Sequence, residues 1–246
     1  MAYHTSIYLF LFLPAVLLAY QLTPKKVRWV TLVLSGYIFF WSISGKLVLY
    51  LIGTTLVTHY IGVWISSVKL ECKIAGAEAS GEERNQIKKQ YKKREKMILA
   101  GGIILLLSAL LYLKYYNFFA QNVNRVLETA GSEFALQAKV LILPIGISFY
   151  TLQAIGYIVD VYWGKINGLE QPPGKIALFL GFFPQIMEGP ISMYSQTADR
   201  LWEGNSLKGE NLSKGSVRIL WGLFKKMIIA DRLFILVQAV FEHYEN

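Results

Sequence analysis

The chain has 246 residues, of which 54% are hydrophobic and only 17% charged, with a mean hydropathy of +0.40. A water-soluble domain of this length carries more charge and fewer long apolar runs, so the composition points to a protein that crosses a membrane several times. The net charge of +9 lies between apolar stretches rather than along one face, which argues against a nucleic-acid surface, and the single cysteine, Cys72, excludes an internal disulfide or a cysteine-built metal cluster.

A membrane helix needs about 20 predominantly apolar residues. Candidates in chain order are 6–22, 27–44, 46–68, 97–116 and 139–163, then a broken segment at 175–197 and a last one at 216–241. The first follows MAYHTS, which lacks the basic start of a cleaved leader, and is read as a retained span shortened or tilted by Pro14. Loop 23–28 carries Lys25, Lys26 and Arg28, and residues 69–96 carry nine basic side chains, whereas the alternate loops hold Lys46 and Arg125 and little else. The positive-inside rule then puts the N-terminus outside and 69–96 in the cytoplasm, facing anionic lipid. Within that stretch AEASGEERNQIKKQYKKREK is expected to form a short amphipathic or solvated helix.

Polar residues enter three apolar segments. LPIGISFYTLQAIGYIVDVYWG (143–164) holds Ser148, Thr151, Gln153, Tyr157 and Asp160 at helical spacings of three and four, so they share faces that turn away from lipid. Lining of a cavity and plain helix-to-helix hydrogen bonding both explain such residues. FFPQIMEGPI (182–191) interrupts an apolar run with Pro184, Gln185, Glu188, Gly189 and Pro190. Proline removes a backbone donor, and irregular backbone at membrane depth survives only inside protein or beside water, so this segment reads as a bend or re-entrant wall of a tunnel. In SVRILWGLFKKMIIADRLFILV (216–237) the charges of Lys225, Lys226, Asp231 and Arg232 predict an amphipathic helix along the interface, with Lys225 or Lys226 reaching Asp231. His59 is the one histidine at depth and is expected to hydrogen-bond a nearby Thr or Ser; His4 and His243 lie near the chain ends. No zinc-hydrolase, serine-hydrolase or phosphate-loop motif occurs.

Taken in order, GISFYT with Gln153 and YIVDVY, then FFPQ with GPI, then GLFKK with Ala230 and Asp231, resemble the membrane-bound O-acyltransferase (MBOAT) family in its alginate O-acetyltransferase-like branch. The resemblance covers nearly the whole chain and implies an all-α, polytopic transmembrane helix bundle with a broken or re-entrant segment and an interfacial amphipathic helix. It implies that residues 1–246 are the N-terminal portion of one such domain, and that the family's catalytic histidine motifs follow GLFKK and are not among these residues. The expected activity is transfer of an acetyl group from a donor (acetyl-CoA or an acyl carrier) to a hydroxyl of an extracellular polysaccharide, with no bound cofactor. Expected partners are membrane lipid, the polysaccharide, and accessory acetylation proteins or a C-terminal half. Ser148, Tyr150, Gln153, Asp160, Pro184, Gln185, Glu188, Gly189 and Pro190 are the expected tunnel-lining or substrate-path residues; no catalytic residue and no metal ligand is assigned. Met193 stands where the family often has Arg. The alternatives are D-alanyl transfer to teichoic acid within the same family, a non-catalytic membrane scaffold, or a transporter, against which the lack of inverted repeats speaks.

Overall fold

The computed structural model describes residues 3, 5–129, 136–137, 143–187 and 189–244. Among them there are helices and turns and no strand. The chain separates into two compact units, Thr23–Gly204 and a smaller one made of Met1–Leu22 with Asn205–Asn246.

In the larger unit, α2 (Arg28–Ser44) follows the smaller unit's α1 (Leu13–Leu22) in the chain and leads through one tight turn into α3 (Val48–Glu78). Lys25–Ala77, which takes in α2 and α3, is long and apolar enough to cross a membrane, and so is α4 (Gly81–Thr129). The exposed stripe Leu49, Ile52, Leu56, Tyr60 and Trp64 on α3 would be anomalous in water and is ordinary facing lipid. With these features and an all-helical fold, the chain is a membrane helix bundle.

The basic region 69–96 is two helical arms rather than a loop. α3 runs on to Glu78, the chain turns at Ala79–Ser80, and Gly81 starts α4 at φ 57°. At 1.5 Å per residue the 49 residues of α4 reach about 74 Å, more than twice a bilayer's hydrocarbon core of about 30 Å, so its charged first third stands clear of the lipid. There Ile87, Tyr91 and Glu95, four apart, are half-buried, while Lys88, Lys89, Lys92 and Lys93 are exposed.

α5 (Ile147–Tyr162) packs against α3 and α4; α6 (Pro173–Gly181) packs against α2 and α3, and α7 (Tyr194–Trp202) on α6. With 16 residues α5 spans about 24 Å, less than a full crossing, and α6 is shorter still. Small residues let these helices approach: a Cβ on Gly36 would stand 2.0 Å from the Gly181 carbonyl oxygen, and one on Gly62 2.8 Å from the Tyr157 ring. Phe39, Phe40, Leu51, Ile65, Tyr150 and Ile158 fill the core between them. Arg28, which reads in the sequence as a loop charge, is buried and donates to the carbonyls of Thr23 and Gly204 at 3.0 Å each.

In the smaller unit a π-helical turn, Ile7–Phe12, precedes α1, and the Tyr20 hydroxyl donates to the Asn205 carbonyl at 2.9 Å. α8 (Gly209–Phe224), a π-helical turn at Lys225–Ala230 and α9 (Asp231–Tyr244) form one continuous rod. Lys226 pairs with Asp231 at 3.1 Å. The wider π turn brings positions five apart onto one side, which is how this pair meets.

Candidate functional site: a polar seam between helix 147–162 and the broken segment

Two backbone features bring the LPIGISFYT and FFPQIM motifs together. Gly146 caps the start of α5 at φ 69°, and a Cβ there would lie 1.8 Å from the Ile186 carbonyl oxygen. Positive φ and this close approach both demand glycine. The broken segment is a compact set of turns: Gln185 N–H donates to Phe182 O at 2.9 Å and Gly189 N–H to Gln185 O at 3.0 Å. Pro184 and Pro190 are exposed on it, Gln185 and Gly189 half-buried. Glu188 lies outside the described residues.

Across this contact runs a chain of side-chain hydrogen bonds. The buried Gln153 amide donates to Ser192 Oγ at 3.4 Å, and the Ser192 hydroxyl donates to Gln185 Oε1 at 3.1 Å. Each such bond is worth about 0.6 kcal/mol on average inside a membrane, enough to orient side chains but not to hold the fold. Ser192 was not among the residues singled out in the sequence; its only signal is its place just after GPI. Amides and a serine hydroxyl donate and accept hydrogen bonds but do not take a proton near neutral pH. The seam can therefore orient neighbouring groups but supplies no general base.

The other candidates are dispersed. Tyr150 is fully buried with its ring edge-on to Phe40 at 6.2 Å, and its hydroxyl has no partner. Ser148 is half-buried and accepts from Lys114 Nζ at 3.3 Å. Asp160 is buried and pairs with Lys165 at 3.1 Å, a partner the sequence reading did not assign. Close to it Lys69 Nζ donates to the carbonyls of Val161 at 2.8 Å and Tyr162 at 2.7 Å, satisfying the open C-terminal end of α5 with a cation. Tyr157 packs on Tyr194 at 4.7 Å; Tyr194 donates to Gln171 at 3.0 Å, and Lys175, which pairs with Asp199, donates to the same Gln171 oxygen at 3.1 Å.

His59 departs from expectation. Its Nδ1 is buried without a hydrogen-bond partner, and the ring sits edge-on to Tyr60 at 5.5 Å. The neighbouring hydroxyls are used locally: Thr55 donates to Leu51 O at 2.8 Å and Thr58 to Thr54 O at 2.6 Å, the back-bonding that helical threonines favour. His4 and the side chain of His243 are not among the described parts of the chain. No group of three or more His, Cys, Asp or Glu side chains that would hold a metal occurs among the described residues.

No protein-family model and no solved structure matches the chain. Among curated proteins it is similar to probable alginate O-acetylases AlgI, at 31% identity over 98% of this chain in Pseudomonas syringae pv. tomato and 29% over 98% in Pseudomonas aeruginosa, each alignment covering 42% of the relative. It is also similar to the peptidoglycan O-acetyltransferase of Helicobacter pylori, at 29% identity over 93% of this chain and 44% of that protein. The chain thus spans about two fifths of the length of these relatives. Together with the order of motifs and the all-helical fold, these similarities indicate the membrane-bound O-acyltransferase family, on the side of the alginate O-acetylases.

Proposed function

We propose that the chain forms the early-helix portion of an acetyltransferase that modifies hydroxyls of an extracellular polysaccharide. The observation that carries this reading is the alignment of nearly the whole chain with O-acetylases named for two different polysaccharides. Those relatives are named for acetyl transfer, which favours it over D-alanyl transfer, a transporter or a scaffold. In the proposed reaction the acceptor oxygen attacks the carbonyl carbon of an acetyl thioester, either acetyl-CoA or an acyl carrier. The C–S bond breaks, the acetyl ester forms, and the acceptor's proton passes through a base to the leaving thiolate. That base must stand within hydrogen-bond reach of the hydroxyl. The seam Gln153–Ser192–Gln185 contributes hydrogen-bonding groups along the substrate path, and the FFPQIMEGPI turns, with Glu188, form part of its wall. No base is assigned among these residues, so the 246 residues by themselves are expected to be inactive.

The test uses membranes carrying the chain alone, and the chain coexpressed with the histidine-bearing C-terminal part of an alginate O-acetylase, each supplied with acetyl donor and polysaccharide. Acetylation is expected only in the second. Acetylation by the chain alone, abolished by His59→Ala, would refute the reading and make His59 the base. The same proposal places the N-terminus outside and the arms at 69–96 in the cytoplasm, from the uneven distribution of lysine and arginine. With Cys72 replaced, a cysteine at Ser80 should resist an impermeant thiol reagent in intact cells; its labelling would reverse the orientation.

A further inference from the structure

A cavity of about 410 Å³ opens between α3, α4 and α5, apart from the seam. Its lining is graded. Lys46 and Tyr50 stand at one end, where the Ile145 amide donates to Ser44 Oγ at 3.1 Å and so sets the start of α5 beside the turn that precedes α3. Gly53, with Leu106 and Ala109 of α4, makes the rest mainly apolar, with Thr54 and Thr151 as its polar side chains. From Lys46 to the last α3 residue of the lining, Val57, the cavity follows three turns, about 16 Å of helix.

Three observations say what would occupy it. Lys46 is exposed at the mouth and makes no ion pair with any described residue, so a cation is left for an anion there. Tyr150 lines the cavity, is fully buried, and its hydroxyl has no partner; a buried donor without an acceptor costs free energy that a ligand oxygen would recover. A Cβ built on Gly53 meets nothing within 4 Å, so the space beside the helix is open there. A cation, then a hydrogen-bond donor, then an apolar trough is the order of phosphate, ester and acyl chain in a phospholipid.

We propose that this groove is a binding site for one acyl chain of an anionic phospholipid, its phosphate at Lys46 and an ester oxygen accepting from the Tyr150 hydroxyl. The site is independent of the acetyl-transfer reading. The exposed pair Tyr60 and Trp64 on the same helix, outside the cavity lining, offers apolar contact without the lysine and provides an internal control for unspecific lipid.

The test uses the whole chain in liposomes containing photoactivatable phosphatidylglycerol, with cross-links located by peptide mass spectrometry. Labelling is expected to concentrate on the Gly53–Val57 and Leu105–Ala109 segments. Gly53→Leu, which fills the open space, should lower groove labelling at least tenfold while leaving Tyr60 and Trp64 labelled. Lys46→Gln, a surface change that spares the fold, should remove at least fivefold of the preference for phosphatidylglycerol over phosphatidylcholine, and Tyr150→Phe should weaken labelling by either lipid. Equal labelling of the groove and the outer pair, or labelling unchanged by both Gly53→Leu and Lys46→Gln, would overturn the proposal and leave only the ordinary lipid shell. A groove protected instead by contact with a second copy of the chain would overturn it as well.

Discussion

The unit Thr23–Gly204 and the rod of α8 and α9 are both helical, yet they are stabilised in different ways. In the first, glycine contacts bring helices to near-backbone distance, and polar groups such as Arg28, Lys69 and Gln153 find partners on other elements. In the second, every described residue of Gly209–Phe241 is half-buried or exposed, including Trp221 at 58% and Phe234 at 65%, and the ion pairs Lys214–Glu210 and Lys226–Asp231 are local. One region is specified by contacts distant in sequence, the other by helix propensity and close neighbours. Substitutions should therefore cost much in the first and little in the second.

The largest effect is expected at Gly146. Alanine there must adopt a left-handed backbone and clear the Ile186 carbonyl, so Gly146→Ala should destabilise by about 3 kcal/mol or more, read as a fall in melting temperature in detergent. Gly156→Ala, on the same helix but with open space around it, should instead be neutral or stabilise by about 0.5–1 kcal/mol. Equal responses at the two glycines would break the comparison at its strongest point.

Next comes Lys69→Met, which removes two charge-assisted bonds to the end of α5. A loss of about 2 kcal/mol is expected, with faster amide exchange confined to the last turn of that helix. Exchange that changes evenly along α5 would show that Lys69 acts through general packing.

Ser192→Ala separates positioning from stability. It should cost about 1 kcal/mol of stability or less, while lowering polysaccharide acetylation about tenfold in a complete enzyme carrying this portion. Full activity would reduce the seam to a packing feature. The smallest effect belongs to the rod: Trp221→Ala or Phe234→Ala should change the melting of the chain by no more than about 0.5 kcal/mol. A loss of several kcal/mol there would mean that the face is covered.

The helices and their polar exceptions were legible along the chain because each depends on residues within a few turns. Hydropathy locates α2, α3 and the apolar half of α4, and spacing by three and four puts Gln153 and Tyr157 on a buried face. The Lys226–Asp231 pair was legible for the same reason, since five positions within one helix set its distance. Partners on other elements were not. Ser192 bridges residues from two motifs, Lys165 was not read as Asp160's partner, and Lys69 and Arg28 look like loop charges until their carbonyl acceptors are known. His59 shows the converse: a donor or acceptor nearby in sequence is no guarantee when threonine hydroxyls bond back to their own helix.

By itself, then, the sequence determined the membrane character, the all-helical class and the motif order that marks the family, because composition and periodicity act locally and add along the chain. The tertiary structure alone decided that GISFYT and FFPQIM meet at Gly146, and that the glutamine–serine seam lies across that meeting. It also turned the basic stretch into paired helical arms and left a lysine, a tyrosine and an open trough aligned beside α3. Those outcomes depend on how closely two backbones approach, and backbone approach is set by the shapes of residues far apart in the chain.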